Sequence, residues 1–141
     1  MKNHLFYLIP KAELTYVHDT DSFQSVLDIF LTSTFTALPV INDRGHYLFT
    51  VGEGDLLRTL YMSCKHPEID LDSFVVGDIE PKVKVTAASI ETDFKTVVKM
   101  AMHQNFVPLV DDQNVMIGIL RRQELIAELM AGLDKDDLKK A

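Results

Sequence analysis

The sequence predicts an α+β fold, written element by element as α/β, made of two β-α-β-β-α repeats packed about a pseudo-twofold axis. Three observations predict it. Pro10–Lys11 recurs as Pro81–Lys82, and Thr15, Phe23 and Val26 recur as Thr86, Phe94 and Val97 at one constant offset. After a two-residue deletion the register resumes: Leu38–Pro39–Val40–Ile41–Asn42–Asp43 aligns with Val107–Pro108–Leu109–Val110–Asp111–Asp112, and Asp55–Leu56–Leu57 with Glu124–Leu125–Ile126. Finally, one copy alone is too small to bury both faces of its sheet, whereas two copies packed sheet to sheet would bury them.

The elements follow in order. Asn3 to Ile9 reads as a short helix leading into the first copy. Leu14–Thr15–Tyr16–Val17 alternates and is short, as a small strand would be. Asp19–Thr20–Asp21–Ser22 supplies helix N-cap residues, and Phe23, Val26, Leu27, Phe30 and Leu31 follow at helical spacing on one face. Ala37 to Ile41 is an apolar run closed by Asn42–Asp43–Arg44–Gly45, a turn signal, and Tyr47 to Val51 completes a hairpin. Gly52–Glu53–Gly54 breaks the strand, and Asp55 can cap a helix carrying Leu56, Leu57, Leu60 and Tyr61. The second copy repeats the order: Val85 opens it, Ile90 to Met102 is helical, Val107–Val110 and Val115–Leu120 are strands, and Leu125 to Met130 is helical. The expected organisation is a first repeat with its N-terminal segment over 1–64, a linker over 65–80, a second repeat over 81–132 and a charged tail over 133–141.

Composition narrows the function. The chain has 141 residues, 47% hydrophobic and 25% charged, enough for a core without staples. It carries 21 acidic against 14 basic residues, a net charge of −7, which argues against a nucleic-acid partner or an anionic membrane surface. The one cysteine, Cys64, rules out an intrachain disulfide, and the apolar run Leu5–Ile9 is too short for a signal peptide or a membrane span. A cytoplasmic protein is expected. His4, His18, His46, His66 and His103 are scattered, with no metal-ligand spacing, and no nucleophile motif or phosphate loop occurs. Catalysis is therefore not expected. Phe23, Phe30, Phe35, Phe94, Met100, Met102 and Phe106 fall at core spacing and read as packing.

The residues that could carry chemistry lie at strand-to-helix junctions. Asp55 can cap a helix through backbone N–H groups or accept both hydroxyls of a ribose cis-diol. Glu124 holds the equivalent place. Arg121–Arg122 is the densest positive spot within an element, suited to phosphate or to a solvated pairing with Glu124 or Glu128. Leu38–Pro39 and Val107–Pro108 lack a backbone donor at the proline, so each marks a strand entrance or a sheet edge, where an adenine ring could also stack.

With these residues in view, the tandem order resembles a pair of CBS domains, the cystathionine β-synthase-type repeat, packed as a Bateman module. The resemblance rests on Thr36–Ala37–Leu38–Pro39–Val40–Ile41–Asn42–Asp43–Arg44–Gly45 with Gly52–Glu53–Gly54–Asp55–Leu56–Leu57. In the second copy it rests on Asn105 to Asp112 and on Ile117–Gly118–Ile119–Leu120–Arg121–Arg122–Gln123–Glu124–Leu125–Ile126. It covers residues 10 to 130 and is nearest to stand-alone CBS-pair proteins of Gram-positive bacteria. The family implies a regulatory sensor, with no required cofactor, binding AMP, ATP, S-adenosylmethionine or cyclic di-AMP in clefts between the repeats. It also implies a homodimer that signals to a protein partner. The alternative is a structural or protein-interaction module that has lost its ligand. Carried over by position, Asp55 would hold the ribose, and Glu124 would stand in its place in the second copy. Ala37, Leu38 and Pro39 would line one adenine, and Val107 and Pro108 the other. Arg122, with Arg121 beside it, would meet phosphate, and Lys11, Thr15 and Thr86 would border the clefts. The family's Ser or Thr three residues before the acid is replaced by Gly52 and Arg121. Its Gly six residues before the acid is Phe49 in the first copy and Gly118 in the second.

Overall fold

The computed structural model describes residues 4–132. In chain order the elements are β1 (Leu8–Pro10), β2 (Val17–His18), α1 (Phe23–Thr32), β3 (Ala37–Ile41), β4 (Tyr47–Gly52) and α2 (Glu53–Lys65). They continue with β5 (Ala88–Ser89), α3 (Phe94–Ala101), β6 (Phe106–Val110), β7 (Met116–Arg121) and α4 (Arg122–Gly132). The described residues group into two compact units, 15–85 and 4–14 with 86–132.

In the unit 15–85, the sheet runs β2-β3-β4, with β2 parallel and β4 antiparallel to β3. Ser22 caps α1, its hydroxyl oxygen accepting the Ser25 N–H at 3.1 Å. Phe23, Val26 and Phe30 then turn inward against Leu38, Val40, Val51 and Leu56. In the unit 4–14 with 86–132 the order is β1-β7-β6-β5, and its core holds Val97, Val107, Leu109, Leu120 and Leu125. Asp93 caps α3, accepting the Thr96 N–H at 2.7 Å.

The duplication extends to hydrogen-bond detail. In the first hairpin the Asn42 side-chain oxygen accepts the N–H groups of Arg44 and His46. In the second the Asp111 carboxylate accepts those of Gln113 and Val115. Gly45 and Asn114 occupy the same turn position with φ of 81° and 64°, a region that glycine and asparagine tolerate. Even the ladder irregularity recurs, between Val40 and Ile41 and between Leu109 and Val110.

Several elements differ from expectation. The N-terminal segment expected as a helix over Asn3–Ile9 is a single 3₁₀ turn, His4–Tyr7, followed by β1; Asn3 lies outside the described residues. β1 pairs antiparallel with β7, so the chain's first strand joins the sheet of the second repeat. The strand expected at Leu14–Val17 shrinks to Val17–His18, because β2 finds partners only at Val40 and Ile41; Pro39 offers no N–H to extend the ladder. Helix α3 starts at Phe94 rather than Ile90, since Ser89 to Thr92 forms a turn ahead of the Asp93 cap. Helix α4 starts at Arg122, ahead of the expected Leu125.

The stretch expected as a linker, 65–80, is packed. Phe74 meets Phe23 edge-on and accepts its N–H, while Val76 and Gly77 donate to the carbonyls of Asp21 and Asp19. Val76 and Ile79 are core residues of the unit 15–85. The expected tail, 133–141, lies outside the described residues.

Candidate functional site

Each repeat ends its hairpin in a helix, and the two junctions are built alike. In the first, Ala37 pairs with Gly52, and the Glu53 N–H donates to the Thr36 carbonyl at 3.1 Å. In the second, Phe106 pairs with Arg121, and the Arg122 N–H donates to the Asn105 carbonyl at 3.3 Å. These bonds fold each helix back against the entrance of its own central strand. The acidic residue then falls at the third position of the helix, not at the N-cap expected for Asp55.

Asp55 is 8% exposed. One carboxylate oxygen accepts the Gly52 N–H at 2.8 Å, which caps α2 from within its first turn. The other accepts the Lys82 backbone N–H at 3.2 Å and pairs with Arg58 one turn along the helix. Both oxygens are therefore engaged by the protein. Glu124 is half-buried and held by Arg121, whose Nε donates to both carboxylate oxygens at 3.1 and 3.2 Å. Burial pushes the Glu124 carboxyl up, but the hydrogen bonds from Arg121 and Gln123 outweigh it and hold the group below the usual carboxylate range. Arg122 spends only Nε, donated to the Ala101 carbonyl at the end of α3 at 2.8 Å; among the described residues its two terminal nitrogens make no hydrogen bond.

The other predicted residues distribute as follows. Leu38 and Val107 are core side chains, so their backbones alone face the strand entrance. Pro39 and Pro108 are buried within β3 and β6. Both strands are internal to their sheets, yet β2 and β5 pair only beyond the prolines, so the entrances Ala37–Pro39 and Phe106–Pro108 are locally edges. Ala37 is half-buried beside them, and Thr15 is exposed ahead of β2. Lys11 begins a 3₁₀ turn, Lys11–Glu13, after β1. Thr86 is fastened by a residue the sequence did not mark: Gln104 accepts from both the Thr86 N–H and its hydroxyl at 3.1 Å and donates to the carbonyls of Thr86 and Phe106. So Ala37–Pro39 and Asp55 come together in the unit 15–85. Thr86, Val107, Pro108, Arg121, Arg122 and Glu124 come together in the other.

Arg58 and Tyr47 were also missed. Arg58 carried a readable signal, an opposite charge three residues after Asp55. Tyr47 did not: its hydroxyl meets the Thr50 hydroxyl at 2.8 Å and donates at 2.7 Å to the Val85 carbonyl, 38 residues away along the chain. Burial pushes its pKa to about 12. Among the described residues no cluster of His, Cys, Asp or Glu could hold a metal ion, and no helix is long and apolar enough to cross a membrane.

Residues 76–131 match the family model of the CBS domain. No curated protein matches the chain. Among solved structures, the fold is similar to that of CbpB in complex with c-di-AMP, with a TM-score of 0.77 and 18% identity, covering 99% of this chain and 91% of that one. It is similar to a CBS domain protein from Streptococcus pneumoniae, with a TM-score of 0.75 and 20% identity over 92% and 87%. It is also similar to CBSX2 of Arabidopsis thaliana in complex with AMP, with a TM-score of 0.71 and 22% identity over 89% and 94%.

Proposed function

We propose that this chain, which has the fold of a CBS pair and matches the CBS domain model over residues 76–131, is a cytoplasmic regulator that senses an adenine nucleotide such as AMP, ATP or cyclic di-AMP. One observation carries the reading. Arg122 is fixed through Nε at the open entrance of β6, and its remaining guanidinium nitrogens are unspent, the fork that suits phosphate. Two similar structures hold AMP and c-di-AMP, which supports the ligand class. The mechanism is selection between two arrangements of the protein by differential affinity, with no chemical step. A homodimer and a protein partner complete the reading. Its support is the exposure of large apolar side chains at matching positions of both repeats: Leu57 and Ile126, Tyr61 and Met130, Leu31 and Met102.

Thermal unfolding with AMP, ATP and cyclic di-AMP tests it. We expect one of them to raise Tm in a concentration-dependent way, and Arg122→Ala to abolish the shift. No shift from any of the three sinks the proposal.

A specific observation favours a second reading, an interaction module without ligand. Both motif carboxylates already have internal partners, Asp55 in Gly52, Arg58 and Lys82, and Glu124 in Arg121. It predicts a stable dimer in sedimentation that none of the three nucleotides alters.

A further inference from the structure

The chain passes from the unit 15–85 to the other unit between Val85 and Thr86, and so within a single peptide group. Side chains hold that group at both of its polar atoms. Its carbonyl, on Val85, accepts the Tyr47 hydroxyl at 2.7 Å, and Tyr47 opens β4 of the unit 15–85. Its N–H, on Thr86, donates to the Gln104 side-chain oxygen at 3.1 Å, and Gln104 precedes β6 of the other unit. Both anchors are themselves tied down. The hydroxyl of the buried Thr50 meets Tyr47 at 2.8 Å, and the Gln104 amide donates to the carbonyls of Thr86 and Phe106 at 2.9 and 3.0 Å.

A peptide group is planar and rigid, so its C=O and N–H turn together. The plane cannot swing away from Tyr47 without also leaving Gln104. Two bonds that would be independent on a flexible linker therefore act as one. Neither anchor is a legacy of the repeat: in the repeat register Met116 stands where Tyr47 does, and Phe35 where Gln104 does. Just before the crossing the Lys82 N–H is also held by a side chain, the Asp55 carboxylate at 3.2 Å. At the other crossing, Leu14 to Thr15, the Leu14 N–H donates to the Lys11 carbonyl, a bond that stays within its own unit.

We propose that the Val85–Thr86 peptide is a coupling device, one plane gripped by Tyr47 and by Gln104, through which loosening of either unit's grip weakens the other's. The coupling runs through the covalent plane and needs no ligand, so it stands or falls separately from the nucleotide reading. It gives a change at β4 in one unit a route to the entrance of β6 in the other.

Amide exchange on the full chain tests this. Tyr47→Phe removes one hydroxyl and keeps the ring. The Thr86 amide, which bonds to Gln104 and not to Tyr47, should then exchange faster by about threefold or more relative to the Val97 amide. Val97 donates to the Asp93 carbonyl in the same unit as Thr86 and reports general loosening. A smaller relative change at Thr86 overturns the proposal. A urea double-variant cycle of Tyr47→Phe and Gln104→Leu is the second measurement. Because one plane serves both bonds, the two substitutions together should lower the folding equilibrium constant by about threefold or more less than the product of their separate effects. Effects that multiply within that margin overturn the proposal as well. If the double variant does not fold, the Thr86 amide in Tyr47→Phe decides.

Discussion

Gly118 lies so close to Ile9 that a Cβ on the glycine would stand 2.2 Å from the Ile9 carbonyl oxygen and 2.7 Å from a Leu8 methyl. This contact is what admits β1 to the edge of β7, where Pro10 pairs with Gly118. The first repeat has Phe49 at the matching position, and there the corresponding segment forms no ladder. Asp55 and Tyr47 hold it by side-chain bonds to Lys82 and Val85 instead. A glycine in one copy and a phenylalanine in the other therefore accompany a four-stranded and a three-stranded sheet.

Gly118→Ala should accordingly destabilise the protein by about 1–3 kcal/mol, the usual cost of forcing a group into a packed site, since the Ile9 carbonyl it meets is backbone and must shift. Chemical denaturation measures the loss, and amide exchange should show β1 released first. Unchanged exchange at Leu8 to Ile9 would contradict the account.

Gln104 is 8% exposed and satisfies four polar groups on Thr86 and Phe106. Gln104→Leu keeps the bulk and removes all four part-buried hydrogen bonds, so it should cost about 1–3 kcal/mol. Urea unfolding checks it. A loss under about 0.5 kcal/mol would mean water replaces the amide at no cost.

Tyr47 links pH to stability at the alkaline end. Its folded pKa, about 12, exceeds the ordinary value of 10.0, so its contribution is complete below pH 10 and is lost as pH rises toward 12. Absorbance titration should show a late-ionising phenol that Tyr47→Phe removes. Tyr7, beside Glu128, is also raised to about 12 and should persist in that variant.

Glu124 does the opposite at the acid end. Its folded pKa is depressed, so its contribution is present above the ordinary glutamate value of about 4.3 and is lost as pH falls through the folded one. Arg121→Gln should flatten the acid limb of a stability–pH curve. An unchanged limb would assign that dependence to other carboxylates.

Much of this was legible in the chain itself. The repeat register placed the hairpins, because an apolar run ending in Asn42–Asp43 or Asp111–Asp112 builds its own turn from side-chain oxygens a few residues away. The helix caps Ser22 and Asp93 were local for the same reason. The junctions were located from the break at Gly52 and the paired acids. What their side chains bond to was not: Asp55 reaches Lys82, Arg122 reaches Ala101, and Gln104 reaches Thr86, each across 18 residues or more.

The sequence by itself determined the duplicated β-α-β-β-α order, the hairpin turns and the residues that gather at each junction. Those follow from hydrophobic period and from hydrogen bonds closed within a few residues. Only the tertiary structure decided that the first strand joins the second repeat's sheet, that the expected linker is packed against α1, and that Asp55 is engaged while Arg122 keeps free nitrogens. These depend on contacts between distant segments, where one Cβ at Phe49 or its absence at Gly118 changes which backbone can approach, and no local pattern records that distance.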